Sequence, residues 1–444
     1  MTLRERLHGN EIAPVEAILF GVVDHGDERS AAESLAELSE LADTGEFVVA
    51  GCMAQHRRHP DPHTYLGAGK LQELAEAVAQ TGASVVIADD QLSPAQGRNI
   101  EEAVKVAVLD RSELILHIFG IHARTPQARL QVELARLQYQ VPRLKRMWTH
   151  LERQRGGIGV RGGAGEKQID VDRSELRSKI AALQRDLEKI GERKVREVRT
   201  RADRFTVALV GYTNSGKSTL MNRLTAAGVL AEDRLFSTLD TRTKPWRLAG
   251  GRTVLLSDTV GFIRKLPHQL VASFHATLEE ALNADLLFLL VDGSSPQALQ
   301  QLATVEEVLQ QLGAGQIPRI QVLNKADQIS DRSVLAPIRA HGGTSVLISA
   351  LNGDGIGELE AALLEHLATV ERELILLVDH SAGALRAEVR QLATVLDERF
   401  DERGSRILVR ASQAAIEQLV AKGARLAAHP DAEPGTTGPS APAR

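Results

Sequence analysis

The chain has one cysteine in 444 residues, Cys52. That excludes a disulfide framework and fits a reducing cytosol. No apolar run is long enough to span a bilayer. The most apolar stretch, Leu286–Val291, reads as a buried parallel strand. The first residues hold no apolar secretion core, so a cytoplasmic protein without a membrane span is expected. A dominant charge is missing too. Lys and Arg number 53 against 58 Asp and Glu, a formal charge of −5, so bulk charge does not announce a nucleic-acid protein. What is present is length, enough for two to four domains with ample core.

Residues 211–218 read Gly-Tyr-Thr-Asn-Ser-Gly-Lys-Ser, between a strand pattern at 205–210 and a helix pattern from Lys217. Strand, glycine-rich loop and helix N-terminus make an anion cradle: backbone N–H groups point at phosphates and the helix dipole adds positive charge. Gly211 and Gly216 let the backbone curl closely. Tyr212, Thr213, Asn214, Ser215 and Thr219 complete the loop. Lys217 is expected to reach the β- and γ-phosphates, and the Ser218 hydroxyl to ligate Mg²⁺.

The base is read downstream. Asn324-Lys325-Ala326-Asp327 follows the apolar strand 320–323. Asp327 can accept two hydrogen bonds from guanine N1–H and the exocyclic amine, a donor pair that adenine lacks. A site built for such donors rejects the wrong base, because its acceptor would stay unpaired. Asn324 is placed to contact the base edge, and the Lys325 stem to lie over the ring. Ser349-Ala350-Leu351, after the strand 345–348, fits the last guanine loop.

Between these lies Asp258-Thr259-Val260-Gly261 at the end of a strand. Asp258 is expected to hold Mg²⁺ through water, and Gly261 to offer its N–H to the γ-phosphate. Upstream, Phe236-Ser237-Thr238 opens the first switch segment, with Thr238 as the Mg²⁺ and γ-phosphate ligand and Thr241 as the alternative. Lys217, Thr238 and Gly261 are the catalytic candidates. Ser218, Thr238 and Asp258 are the metal candidates. Hydrolysis would release both switch loops.

This ordered set resembles a translation-factor-type P-loop GTPase domain. Ras-like enzymes place a water-orienting Gln directly after the Asp-x-x-Gly motif. Here that residue is Phe262, whose ring offers no such hydrogen bond. Slow intrinsic hydrolysis is therefore expected, or water positioned by another group. In related GTPases with an apolar residue at this place, an Asn matching Asn214 helps hold K⁺ near the phosphates, where it adds positive charge. Asn214 reads equally well as a turn residue.

The expected fold is multidomain α/β. Residues 1–122 alternate strand (17–23, 46–50, 84–88, 106–110) and helix (30–41, 70–81) patterns, a small domain with a mostly parallel sheet. Residues 123–202 form a helical hairpin. Its first arm spans 126–151 with Leu130, Leu134, Leu137, Val141 and Leu144 on one face. Its second carries the seam Leu176, Ile180, Leu183, Leu187 and Ile190. The tip, 153–167, is basic and glycine-rich. Across 141–167 seven Lys and Arg face two Glu, a net +5, a plausible ligand for RNA phosphates. Trp148 and His150 lie near enough in sequence to stack on bases. Residues 203–370 form the GTPase domain, and 371–425 a small αβ domain with strands 374–378 and 406–410 and helices 382–392 and 412–421. Residues 426–444 read as a disordered tail. Tyr65–Lys70 opens a helix, read as a structural turn.

The segments Tyr65–Leu71, Leu109–Leu116, Gln138-Tyr139, Arg161–Ile169, Phe236–Asp240 and Asp258–Ile263 together resemble the HflX family of ribosome-associated GTPases, over roughly residues 15–425. Lys167 stands where the family's tip has Thr. The resemblance implies a monomer that binds the large ribosomal subunit, with the hairpin aimed at ribosomal RNA. It implies GTP-dependent splitting or rescue of stalled ribosomes, with Mg²⁺ and optionally K⁺ as cofactors and a secondary ATPase activity. Two alternatives stay open. A tRNA-modification GTPase shares Asn214 and an apolar residue like Phe262, but normally carries a reactive C-terminal cysteine. A GTP-binding scaffold of low turnover would tolerate Phe262.

Overall fold

The computed structural model describes residues 15–23, 28–143, 164–199, 205–225, 235–236, 242–265, 283–341, 343–401 and 404–427. The first-switch residues Ser237, Thr238 and Thr241 lie outside them. So do Trp148, His150, most of the basic tip and residues 428–444 of the expected tail, whose first two residues, Leu426 and Ala427, are in a strand.

The N-terminal sheet has the order β2-β1-β3-β4, all parallel. Its strands are β1 (Val15–Val23), β2 (Phe47–His56), β3 (Val85–Ala88) and β4 (Ala107–Leu109). Four helices run between and after them: α1 (Glu28–Thr44), α2 (Ala68–Thr81), α3 (Pro94–Val104) and α4 (Arg111–His122). Alternate β1 residues feed opposite faces, Ala17 and Leu19 into one core, Ile18 and Phe20 into another. Helices α3 and α4 were not anticipated from sequence. Both begin with capping boxes, Ser93 with Gln96 and Asp110 with Glu113, which satisfy the first backbone donors.

The hairpin arms are α5 (Pro126–Gln140) and α6 (Ala164–Arg199). The first arm is helical from Pro126 to Gln140, and the rest of the expected span, 144–151 with Leu144, lies outside the described residues. Pro142 lacks an N–H and disfavours helix at Val141, and a 3₁₀ turn at Val141–Arg143 takes over. On α6 the seam Leu176, Ile180, Leu183, Leu187 and Ile190 is half-buried, and the other residues described between them are exposed. At 1.5 Å per residue, α6 is more than twice as long as α5, so α5 cannot cover it all.

The central sheet has the order β10-β9-β8-β5-β7-β6. Its strands are β5 (Thr206–Gly211), β6 (Arg242–Arg247), β7 (Thr253–Asp258), β8 (Leu286–Asp292), β9 (Arg319–Asn324) and β10 (Ser345–Leu347). Only the edge strand β6 runs antiparallel. Helices α7 (Lys217–Thr225), α8 (Ala298–Gln311) and α9 (Ile356–Val370) pack on it. Strand β8 is apolar from Leu286 to Val291 because both faces are covered. Leu287, Leu289 and Val291 enter one core, and Leu286, Phe288 and Leu290 the other. The core holding Leu287 runs without a break into the N-terminal sheet, so the two domains share apolar packing.

The last sheet, β12-β13-β11-β14, is antiparallel. It comprises β11 (Arg372–Asp379), β12 (Thr394–Phe400), β13 (Gly404–Ala411) and β14 (Arg425–Ala427), with α10 (Gly383–Leu392) and α11 (Gln413–Ala421). Strands β12 and β14 are additions to the expected elements. Among the described residues no helix is long and apolar enough to cross a membrane.

Candidate functional site

Ligands of open α/β sheets sit beyond the carboxyl ends of the strands, where strand order reverses. Strand β5 lies between β7 and β8, so the reversal falls at its carboxyl end. The loop 211–218 leaves β5 there. The Asp258–Gly261 segment leaves β7, Asn324–Asp327 leaves β9, and Ser349-Ala350 follows β10. Four segments distant in sequence converge on one crevice.

The phosphate loop is closely built. A Cβ on Gly211 would lie 2.4 Å from the Leu290 carbonyl oxygen. One on Gly216, at φ +91, would lie 2.2 Å from the Asn324 amide nitrogen. Only glycine fits either place. Thr213 and Ser215 are buried, and neither hydroxyl has a hydrogen-bond partner among the described residues. Asn214 is exposed, at φ +59. Lys217 is buried at the helix start and donates to the carbonyl oxygens of Tyr212 (2.7 Å) and Gly211 (3.2 Å). Burial pulls its ammonium down to about 8, against the opposing pull of Asp258. Thr219, one turn into α7, is half-buried.

The Ser218 hydroxyl donates to Asp258 Oδ2 at 2.8 Å, and both residues are buried. Two hard oxygen donors meeting at the phosphate loop fit Mg²⁺. Thr259 donates to the Leu209 carbonyl (2.6 Å) and so anchors the segment, with Val260 buried beside it. Gly261 lies against the loop: a Cβ there would be 2.9 Å from Thr213 Cα. Phe262 is buried in a cluster with Tyr212, Phe236 and Phe119. Its backbone pairs with the phosphate loop, Thr213 N–H to Phe262 O at 2.7 Å and Phe262 N–H to Gly211 O at 3.1 Å. Phe236, the described end of the first switch segment, stacks edge-on against Phe119 of α4 at 4.7 Å.

In the segment after β9 Asn324 is a brace. Its amide donates to the Ser215 carbonyl (2.8 Å) and accepts from the Ala350 N–H (2.9 Å). Asp327 is exposed and accepts from the Ser349 hydroxyl at 2.5 Å. Lys325, at φ +62, pairs with Asp292 at 2.7 Å. Leu351 is exposed.

Several neighbours escaped the sequence reading. Arg223 of α7 donates to the Ala350 carbonyl at 3.2 Å and also to that of Leu351, fixing the loop after β10. Asp292 holds Lys325. Tyr212 donates to Glu37 of α1 at 2.5 Å and accepts from the Arg264 N–H at 2.9 Å. Burial and the Glu37 charge push its phenol up, so it remains a donor. The Tyr65–Lys70 turn is structural: the Gly67 N–H is taken by Gln55 (2.8 Å), and the Tyr65 hydroxyl donates to Asp90 (2.5 Å).

Three family models match along the chain: "GTP-binding GTPase N-terminal" at 32–120, "GTP-binding GTPase Middle Region" at 122–201 and "50S ribosome-binding GTPase" at 206–325. GTPase HflX of Magnetococcus marinus is 42% identical over 412 residues, covering 92% of this chain and 95% of its own. GTPase HflX of Escherichia coli is 43% identical over 376 residues, covering 84% and 88%. Among solved structures, a GTP-binding protein of Sulfolobus solfataricus in complex with GDP is 26% identical, with TM-score 0.42, covering 79% of this chain and 98% of its own. With a P-loop GTPase site assembled from four motifs and relatives this similar along nearly their whole length, the chain belongs to the HflX family of GTPases.

Proposed function

We propose that this GTPase is a switch for the ribosome: it binds the large subunit through the hairpin tip, hydrolyses GTP, and splits or rescues stalled ribosomes. The observation that carries the reading is the crevice itself. Asn324 ties the phosphate loop to the base pocket, and the central segment matches a family described as ribosome-binding. The division into 1–122, 123–202, 203–370 and 371–425, with a tail at 426–444, belongs to the same reading.

In this mechanism Lys217 turns its ammonium from the loop carbonyls to the β- and γ-phosphates. Loop N–H groups and the α7 N-terminus receive the remaining charge. Ser218 and Asp258, with Thr238, would hold Mg²⁺, which when bound offsets charge on the phosphate oxygens. Asp327 accepts from guanine N1–H and the exocyclic amine, while the Lys325 stem covers the ring. Gly261 offers its N–H to the γ-phosphate. Phe262 is packed in an apolar cluster, so it cannot orient the attacking water. Asn214 would hold K⁺, which when bound adds positive charge near the phosphates, and the ribosome would orient the water. Catalysis then rests on positioning and charge.

The test is hydrolysis of GTP, with ATP in parallel, with and without purified large ribosomal subunits, in K⁺ and in Na⁺ buffer. The expected result is strong stimulation by subunits and a K⁺ requirement. No stimulation in either buffer would sink the ribosome reading and favour the tRNA-modification or scaffold alternatives.

A further inference from the structure

We propose that the side-chain hydroxyl of Thr213 is the group in this chain that orients the water attacking the γ-phosphate, work for which the buried ring of Phe262 has no polar atom. The inference rests on the guanine-nucleotide reading above. In that reading the ribosome orients the water, and Thr213 is the hydroxyl on which it does so.

Thr213 is 6% exposed, and its Oγ1 has no hydrogen-bond partner among the described residues. A hydroxyl buried without a partner costs stability, so a valine of the same shape would suit the folded loop better. That cost is offset only when a partner arrives. The other polar side chains of the crevice are engaged or lie elsewhere. Lys217 donates to loop carbonyls, Ser218 to Asp258, and Thr259 to the Leu209 carbonyl. Ser215 is buried too, but its hydroxyl lies on the β8 side of the loop. It is 2.9 Å from where a Gly211 Cβ would stand, beside the Leu290 carbonyl oxygen. Asn214 is exposed.

Thr213 stands where the γ-phosphate is expected. A Cβ built on Gly261 would lie 2.9 Å from both Cα and Cγ2 of Thr213 and 3.1 Å from Lys217 Nζ. Gly261 and Lys217 are the groups assigned to the γ-phosphate, and Oγ1 is bonded to the same carbon as Cγ2. The Thr213 N–H donates to the Phe262 carbonyl oxygen at 2.7 Å. That bond fixes Thr213 against the segment in which Phe262 fills the place of the water-orienting glutamine. A hydroxyl both donates and accepts. Oγ1 can accept one O–H of the water and donate its own hydrogen to a γ-phosphate oxygen, the two kinds of contact that a glutamine amide offers. The water oxygen then bonds to the γ-phosphorus. The bond to the bridging oxygen breaks with its electron pair staying on GDP, and a proton of the water passes to a γ-phosphate oxygen. Thr213 keeps its own proton, and its contribution is positioning.

The experiment uses the full chain with GTP, with GDP, and with GDP plus aluminium fluoride, a mimic of the phosphoryl group in transfer. Mg²⁺ and K⁺ are held fixed, and rates are taken with and without large ribosomal subunits. Thr213→Val removes the hydroxyl and keeps the shape. It is expected to lower kcat about ten- to a hundredfold, at or below the loss on removing one donor to developing charge, with GDP affinity and melting temperature not lowered. Binding of GDP plus aluminium fluoride should weaken by a comparable factor. Thr213→Ser, which restores the hydroxyl, should recover most of the rate. An unchanged kcat in Thr213→Val overturns the proposal. So does a loss of GDP affinity as large as the loss of rate, or a Thr213→Ser as slow as Thr213→Val, since either would leave the side chain as packing for the loop. If the wild type binds neither nucleotide, the guanine-nucleotide reading falls and the proposal with it.

Discussion

Asn324 Nδ2 donates to the carbonyl oxygen of Ser215 at 2.8 Å, across 109 residues of sequence. That one bond sets the distance between the phosphate loop and the base pocket. It also explains Gly216, whose absent Cβ leaves room for the Asn324 amide. Gly216→Ala must either push the amide away or distort a backbone at φ +91. Strain of this kind costs about 1–3 kcal/mol. The expected outcome is a loss of nucleotide affinity of about five- to a hundredfold, at roughly 1.4 kcal/mol per decade, with the fold retained. Titration calorimetry alongside far-ultraviolet circular dichroism checks both halves; wild-type affinity would refute the brace.

Asp327 is held by the Ser349 hydroxyl at 2.5 Å, so one carboxylate oxygen is oriented and the other is left to face the base. Asp327→Asn replaces an acceptor with a donor. Guanine then meets donor against donor, whereas xanthine presents an oxygen there. The expected result is a change of preference from GTP to xanthosine triphosphate, read by competition binding. Retained GTP preference would remove Asp327 from the base pocket.

Lys217 gives a pH dependence with a definite sign. Burial lowers its ammonium from the ordinary lysine value to about 8. Triphosphate brings negative charge and favours the protonated form. Below pH 8 the lysine is already charged and affinity is flat with respect to this group. Above pH 8 binding must take up a proton, so affinity falls by up to tenfold per unit. Calorimetry at pH 9 in two buffers of different ionisation heat should show that uptake. Lys217→Ala should abolish both the uptake and most of the affinity.

The basic tip gives a prediction of another kind. Arg153, Arg155 and Arg161 are expected to neutralise RNA phosphates, and each such contact adds to the salt slope of binding. Replacing all three with Gln should weaken binding to large ribosomal subunits and flatten its dependence on salt. Sedimentation at several KCl concentrations measures this, and an unaltered slope would reduce the tip to a linker.

The motif residues were legible because their work is local. Gly211, Gly216, Lys217 and Ser218 sit in one loop whose spacing carries the chemistry, and Asp258 and Asn324 each end an apolar strand. The seam of α6 was legible for a similar reason, since a 4-3-4-3 spacing needs no partner to be seen. Helix α4 was not, because it is buried on nearly all sides and shows no polar face to betray its period. Helix α3 did carry a readable signal, Ser93 before Pro94 with Gln96 three residues on. Glu37 could not be found from spacing. Its role arises only when two sheets dock, and nothing in 37 and 212 marks them as neighbours. Arg223 and Asp292 were hidden in the same way, each acting on a loop supplied by another strand.

Docking of the C-terminal sheet depends on a different pair. Arg252, at the entry to β7, reaches Glu371 at the entry to β11, with Nη1 2.6 Å from Oε2 and a second contact from Nη2. Both residues are buried, and Arg252 also donates to Thr394 at 3.0 Å. A buried pair of this kind contributes little net stability against an apolar substitute, but removing one partner strands a charge. Glu371→Ala is therefore expected to cost about 3–5 kcal/mol, and the loss should concentrate in the C-terminal sheet. Hydrogen exchange should rise in β11–β13 while β5 and the phosphate loop stay protected, and nucleotide affinity should be unchanged. The double replacement Arg252→Met with Glu371→Leu should recover most of the stability. A double variant as unstable as Glu371→Ala would mean that the pair holds the two domains by its charge and not merely by its packing.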